Sequence, residues 1–340
     1  PRDSQIPDLW FGLYDWAVTV DHGSGTCLLS VHDLLGDGRL PERIEQLQHD
    51  LLRLEVASPP RSRFDAPPTS QVTRPQYLEA VGRALEYIRA GDVFQVNLSQ
   101  RFQARGTIVP LDLYLRLKAA SPAPFSAYIN TDEWSVMSAS PESFYQTRGD
   151  QIVTRPIKGT RPRGRTAEED ARLRAELKGS PKDQAELTMI VDLERNDLGR
   201  VCQFGSVRVV APLTVESFAQ VHHLVATVEG LLRPEVGPVD VVRAVFPGGS
   251  ITGAPKIRAM QIIDELEPGR RGLYTGAIGY FSRGGTSGFN IVIRTLLAEG
   301  NCVSYQVGGG IVADSDPEAE YDETLHKGAG SLAVLEEGLT

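Results

Sequence analysis

Ser143-Phe-Tyr-Gln-Thr-Arg-Gly-Asp-Gln-Ile-Val-Thr-Arg-Pro-Ile-Lys-Gly-Thr-Arg-Pro-Arg-Gly164 is the stretch on which the fold turns. Two short β runs, Ser143 to Thr147 and Gln151 to Arg155, follow one another with only Arg-Gly-Asp between them. Runs so close together pair antiparallel, because a parallel crossover needs about a dozen residues. Upstream, Ser126 to Asn130 and Ser135 to Ala139 read the same way. Phe94 to Phe102 alternates polar Gln95, Asn97 and Ser99 with apolar Phe94, Val96 and Leu98, as a strand does. Further β runs are expected at Ser206 to Val210, His223 to Leu231, Gly276 to Phe281, Gly288 to Leu297 and Val303 to Val307. Helices are expected at Gln76 to Ala90 (stopped by Gly91), Leu111 to Ala119, Thr166 to Leu198, Val239 to Phe246, Ala254 to Leu266 and from about Pro317. The fourth run, Val239 to Phe246, follows one that breaks at Gly179-Ser180-Pro181, where Ser180 can cap a new helix. Hairpins interleaved with helices, without βαβ regularity, indicate an α+β fold and not a doubly wound sheet.

Residues 1–55 read as a smaller mixed portion. Leu13 to Val20 and Cys27 to His32 form a hairpin, and Pro41 to Leu54 an amphipathic helix with Ile44, Leu47, Leu51 and Leu54 on one stripe. Residues 56–75, rich in Pro, Ser and Arg, are expected to be a linker or mobile loop. The dense pattern then runs through residues 76–340. A chain of 340 residues with 41% hydrophobic content can bury a large core. Its charge of −9 argues against nucleic acid or an anionic membrane as partner, so an anionic substrate needs a local basic pocket. Cys27, Cys202 and Cys302 are odd in number and far apart, which fits reduced thiols in a cytoplasmic protein, with no disulfide frame and no zinc spacing. No apolar run reaches membrane-spanning length, and no signal peptide opens the chain at Pro1.

Several side chains stand out. Lys158 follows a β run and precedes a Gly-Thr turn; desolvated there, its amine becomes a usable nucleophile, although a basic surface loop explains the same residues. Glu142, after Pro141, is either a general acid with a burial-raised pKa or a turn residue. Ser315 and Glu318 suggest a capping box for the last helix, on which Glu320, Glu323 and Lys327 share a face. Adjacent carboxylates of this kind suit Mg²⁺, or else Glu323 simply pairs with Lys327. Glu186 points where its helix is apolar, so it needs a partner, a metal or an edge position. The charged run Asp192 to Arg200 reads as structural. The glycine-rich loop Phe246 to Lys256 and Gly308-Gly309-Gly310 let backbone approach an anionic ligand closely; neither a P-loop nor a dinucleotide fingerprint is present. Arg294, in an apolar strand, calls for a carboxylate partner. Of His222 and His223, strand alternation lets one face a site.

Together these stretches, from about Gln76 onward, resemble the chorismate-utilising enzymes, above all in Phe246 to Met260, Gly308 to Asp314 and Glu320 to Lys327. The resemblance implies a Mg²⁺-dependent enzyme with two orthogonally stacked antiparallel β-sheets flanked by helices, and an active site between them. It makes residues 1–55 the remnant of an N-terminal subdomain and 76–340 the chorismate-binding catalytic domain. Members that make 4-amino-4-deoxychorismate typically carry Pro-Ile-Lys-Gly-Thr, as at Lys158, where anthranilate-forming members carry Ala. Water-using isochorismate and salicylate synthases have a Lys where this chain has Gln95. The implied reaction is amination of chorismate towards p-aminobenzoate and folate; anthranilate formation is the alternative. The implied roles place Glu186, Glu323 and (through water) Glu320 on Mg²⁺, and Arg294, Lys327, Tyr280, Ser250 and the backbone of Gly308 to Gly310 on the substrate carboxylates. Lys158 is the nucleophile, Glu142 the acid and His223 a ring-side group, while Arg155, Arg161 and Arg163 serve the loop and its field. The family's N-terminal portion is usually longer. One wall of its frequent tryptophan pocket matches Ser121-Pro-Ala-Pro-Phe-Ser126, and the other is expected before Pro1. With no Gly-x-Cys-x-Gly glutaminase nucleophile, ammonia is expected from a separate glutamine amidotransferase subunit or from solution.

Overall fold

The structure, a computed structural model, describes residues 4–34, 36, 38–55, 57–218 and 221–339. Pro1, and Val56 at the start of the expected linker, lie outside the described residues. The chain divides into two compact units, Pro7–Pro60 and the remainder.

In the smaller unit the expected hairpin forms between strands Trp16–Asp21 and Thr26–Val31, with Trp16 opposite Val31 and Asp21 opposite Thr26. Asp21 closes the turn by accepting the Gly23 N–H at 2.8 Å, and Gly25 takes a left-handed φ of 69°. Helix Leu40–Leu52 carries Pro41 in its first turn and turns Ile44, Leu47 and Leu51 partly away from solvent. Leu54, expected on the same stripe, lies beyond the helix and is exposed.

The larger unit holds two antiparallel sheets. The seven-stranded sheet runs Ile157–Pro162, Val221–Leu231, Gln151–Arg155, Ser143–Arg148, Thr286–Ile291 and Ala277–Phe281, with Arg208–Ser217 also on Val221–Leu231. The eight-stranded sheet runs Gly253–Ala254, Gln95–Thr107, Cys302–Ile311, Thr295–Glu299, Trp134–Ser140 and Phe125–Asn130. Its two remaining strands, Arg63–Phe64 and Thr69–Ser70, pair with Gln95–Thr107 and so correct the expected linker at 56–75. Buried Phe64 anchors this segment, and Asp112 accepts the backbone N–H of Ser62, contacts that Pro-rich composition does not reveal.

Each sheet buries one face under helices. Leu187, Val191 and Leu198 of helix Pro181–Gly199 pack on Ile152, Leu224 and Val228. Leu113 and Leu117 of helix Pro110–Ala120 and Leu335 of helix Pro317–Glu336 pack on Met137, Leu296 and Val303. Helices Arg74–Arg89 and Lys256–Leu266 cover Val96 and Leu98. The expected alternation in the first long strand holds for those two residues, but the strand begins at Gln95, and Phe94 is 72% exposed. Among the described residues, no helix is long and apolar enough to cross a membrane.

The chain passes from one sheet to the other at two places that matter below. One is Pro141-Glu142, between strands Trp134–Ser140 and Ser143–Arg148; the other is residues 292–294. The run Gly288 to Leu297 is therefore not one strand: Arg294 takes a left-handed φ of 49°, and its carbonyl accepts the Ala139 N–H at 3.0 Å. The crossings are tied together, since the Ile291 N–H donates to the Glu142 carbonyl at 3.1 Å and the Ser140 hydroxyl to the Ile291 carbonyl at 2.6 Å.

Candidate active site

A cavity of about 640 Å³ takes its walls from both sheets and from helices Pro181–Gly199 and Pro317–Glu336. That size suits a small-molecule ligand. Lys158, Glu142, His223, Arg294, Lys327, Ser250, Gly308, Gly310, Glu186, Glu320 and Glu323 all line it.

Lys158 sits within strand Ile157–Pro162, not at its end. A bulge after it puts Gly159 at φ 74°, so Lys158 and Thr160 both reach the cavity. A Cβ on Gly159 would meet Asp183 and Leu177 at 2.8 Å, so glycine is required both by the conformation and by the space. Loss of solvent pulls the Lys158 ammonium below the usual lysine range, against the pull of Glu186 and with help from Lys327. Its Nζ lies 3.4 Å from the Ser250 carbonyl oxygen.

Ser250 belongs to the short 3₁₀ turn Gly249–Ile251 inside the glycine-rich loop. Its hydroxyl donates to Glu142 Oε1 at 2.7 Å. Glu142 is buried at the sheet crossing, and burial raises its carboxyl pKa despite the Ser250 hydrogen bond and the nearby Lys158. Nucleophile and acid candidates thus meet across a single residue.

His223 faces the cavity, with Nδ1 2.9 Å from the Thr160 hydroxyl. Burial, with Arg294 nearby, pulls it down to about 4, so its ring is neutral. His222 points the other way, onto Ser217 at 2.7 Å and Asp170 at 3.1 Å, as alternation requires.

The last helix is capped differently from the expected box. Asp316 is its N-cap and accepts the Ala319 N–H, while Glu318 pairs with Arg74. Ser315 donates instead to Glu320 Oε1 at 2.6 Å, fixing that carboxylate beneath Gly309. A Cβ on Gly309 would lie 3.0 Å from Glu320 Oε2 and 3.7 Å from Glu323 Oε1. Glu320 Oε2 is buried without a hydrogen-bond partner, and burial raises its pKa. Burial also pushes Glu323 upward, but Lys327, at 2.6 Å, with Lys182 and Lys158 acting in the same direction, leaves the carboxyl below its usual range. Lys327 also donates to the Gly308 carbonyl at 3.2 Å. Among the described residues, no three His, Cys, Asp or Glu side chains are assembled to hold a metal by themselves. An orphaned carboxylate oxygen beside a second carboxylate fits a hard cation that completes its shell with water and substrate oxygens.

Three expected site residues are placed otherwise: Tyr280 and Gly309, expected on the substrate, and Gln95, expected among the catalytic residues. Tyr280 is 60% exposed on the outermost strand of its sheet, its ring against Gly288, and does not line the cavity. Tyr274 does; burial pushes its hydroxyl up to about 12, and a Cβ on Gly308 would meet that hydroxyl at 2.9 Å. The sequence does not single out Tyr274, because only the fold brings it opposite the side-chain-free Gly308. Gln95 is wholly buried behind Gly310 and not on the cavity wall; its Nε2 and Oε1 have no hydrogen-bond partner. Gly309 faces the helix carboxylates. Arg155 pairs with Glu216, Arg161 with Glu176 and Asp183, and Arg163 with Asp170, consistent with loop roles.

Residues 1–333 match the family described as chorismate binding enzyme. Anthranilate synthase component 1 of Thermus thermophilus is 44% identical over 99% of this chain and 73% of its own length. Aminodeoxychorismate synthase component 1 of Escherichia coli is also 44% identical, over 98% and 72%. The crystal structure of anthranilate synthase component I from Streptococcus pneumoniae superposes with a TM-score of 0.82 at 36% identity, covering 94% of this chain and 72% of that one.

Proposed function

The chain belongs to the chorismate-binding enzyme family, and we propose that it aminates chorismate at C4 with ammonia to give 4-amino-4-deoxychorismate. Relatives of equal identity bear both the aminodeoxychorismate and the anthranilate synthase names, so similarity alone does not choose. The observation that carries the choice is Lys158: an amine with a lowered pKa in the cavity wall, joined through Ser250 to Glu142, whose carboxyl pKa is raised by burial.

In this reading the neutral Lys158 amine adds at C2 of the ring as the C4 hydroxyl departs as water, taking the Glu142 proton. Ammonia then adds at C4, the C2–N bond breaks to release Lys158, and Glu142 recovers a proton from the new ammonium. Two allylic displacements give net retention. Arg294, Lys327 and Tyr274 face the substrate carboxylates, and neutral His223 orients the ring. Glu186, Glu320 and Glu323 would hold Mg²⁺, which when bound supplies positive charge for the ring carboxylate. The name component 1 borne by relatives supports a second subunit; in this reading it is a glutamine amidotransferase that supplies ammonia, and the reaction takes place in the cytoplasm.

Incubation with chorismate, Mg²⁺ and ammonium tests the reading. p-Aminobenzoate should form only after a lyase is added; fluorescent anthranilate without lyase would sink it. Lys158→Ala should abolish turnover, and protein quenched with chorismate in the absence of ammonia should carry a covalent adduct by mass spectrometry.

A further inference from the structure

Helix Lys256–Leu266 ends into Glu267, and Arg271 follows four residues later. The two pair at 2.7 and 2.9 Å, and both side chains are largely buried. A buried pair of this kind contributes little net stability, because desolvation offsets its attraction. Where its other hydrogen bonds go is more informative. Arg271 Nη1 donates to the Ile251 carbonyl at 2.9 Å and Nη2 to the Asn97 carbonyl at 2.6 Å. Its guanidinium carbon lies 5.6 Å from the centroid of the Tyr274 ring. Glu267 Oε1 accepts both the backbone N–H and the hydroxyl of Ser99, at 2.9 and 2.7 Å.

Asn97, Ile251 and Tyr274 come from three separate segments, and all line the cavity, whereas Arg271 does not. Ile251 directly follows Ser250, the residue between Lys158 and Glu142. A planar guanidinium can hold two carbonyls and a carboxylate in fixed directions at once; an ammonium cannot. We infer that Arg271, oriented by Glu267, is a positioning residue that sets the 249–251 turn, and through Ser250 the placement of Lys158 and Glu142. The inference rests on this cavity being where chorismate is consumed, and not on which product leaves it.

The test follows chorismate consumption by the parent, Arg271→Lys, Ser250→Ala and the double variant. Arg271→Lys should lower kcat/KM by about tenfold or more, the scale of a lost hydrogen bond to a charged group. Its Tm should stay within about 4 °C of the parent. Adding Ser250→Ala to it should cost less than about twofold more, because the hydroxyl is already displaced. Parent-like turnover in Arg271→Lys, or losses that multiply in the double variant, would overturn the inference. If Arg271→Lys does not fold, Glu267→Gln, which keeps an oxygen for Ser99, enters the same cycle with the same criteria. A parent that consumes no chorismate would remove the site assignment; amide exchange over residues 249–252 then still decides the clamp. Faster exchange in the variant supports it, and unchanged exchange overturns it.

Discussion

Glu142 and His223 share one cavity but hold opposite protonation economies. Burial pushes the carboxyl pKa up and leaves the imidazole bare, so the site has a carboxyl shifted towards its acid form and a neutral ring side by side. Glu142→Gln keeps the volume and an acceptor for Ser250 but removes the proton to be given. It should lower kcat by about 10²–10⁴-fold with little change in chorismate KM, as steady-state kinetics can show. His223 makes a separate claim on stability. Its folded pKa of about 4 lies below the ordinary 6.5, so its contribution is intact above pH 6.5 and is lost as pH falls towards 4. At pH 5 the loss is about 2 kcal/mol, and urea midpoints at pH 7 and 5 should diverge less in His223→Gln than in the parent. These residues were legible in the sequence because each combined an unusual type with a turn or strand end. Choosing between Tyr274 and Tyr280 was not possible that way. Both sit in one short glycine-rich stretch, and only the fold leaves Tyr280 60% exposed with its ring against Gly288.

Helix Pro181–Gly199 shows what an element adds beyond its residues. The sequence predicts a new helix capped by Ser180, and in the structure Ser180 accepts the Asp183 N–H; the charged end of the helix reads as structural. There, Lys256 spans Asp197 at 2.6 Å and the Val245 carbonyl at 3.0 Å, pinning the two ends of the glycine-rich loop to the helix. Beside this pair burial lifts Glu194 to about 8, with Asp197 adding to the effect. A folded pKa raised from 4.5 means stability is full below pH 4.5 and lost as pH rises through about 8. Glu194→Gln should therefore be about 2–4 kcal/mol more stable than the parent at pH 8.5 and close to it at pH 4.5, by chemical denaturation. Equal midpoints at pH 8.5 would mean that Glu194 titrates near the ordinary carboxyl value in the folded protein. The Ser315 cap failed as an expectation for an opposite reason. Ser and Asp are both good caps, and only the fold shows that Asp316 takes the role while Ser315 is drawn to Glu320.

At the scale of the whole molecule the governing fact is a charge of −9 in a protein whose cavity, on the proposed reading, takes the dianion chorismate. Hairpin spacing was enough to give the α+β architecture, because short connections leave antiparallel pairing as the outcome. The two sheet crossings were not legible, since nothing in the composition of 292–294 marks a break; yet they deliver Glu142 and Arg294 to the cavity. The cavity walls carry Glu142, Asp183, Glu186, Glu320 and Glu323 alongside Lys158, Arg161, Lys182, Arg294 and Lys327, so the protein alone offers a dianion no large surplus of positive charge. On the proposed reading a divalent cation supplies that surplus, and the two ligands must bind with positive coupling. Chorismate in the presence of Mg²⁺ at about 100 times its Kd should stabilise the fold by about 2.7 kcal/mol, visible as a rise in Tm. In EDTA the same chorismate concentration should give a much smaller rise, and Glu320→Gln should narrow the gap between the two conditions. A chorismate-induced shift of equal size with and without the cation would mean that Arg294 and Lys327 suffice, and that the paired glutamates serve the helix and not the substrate.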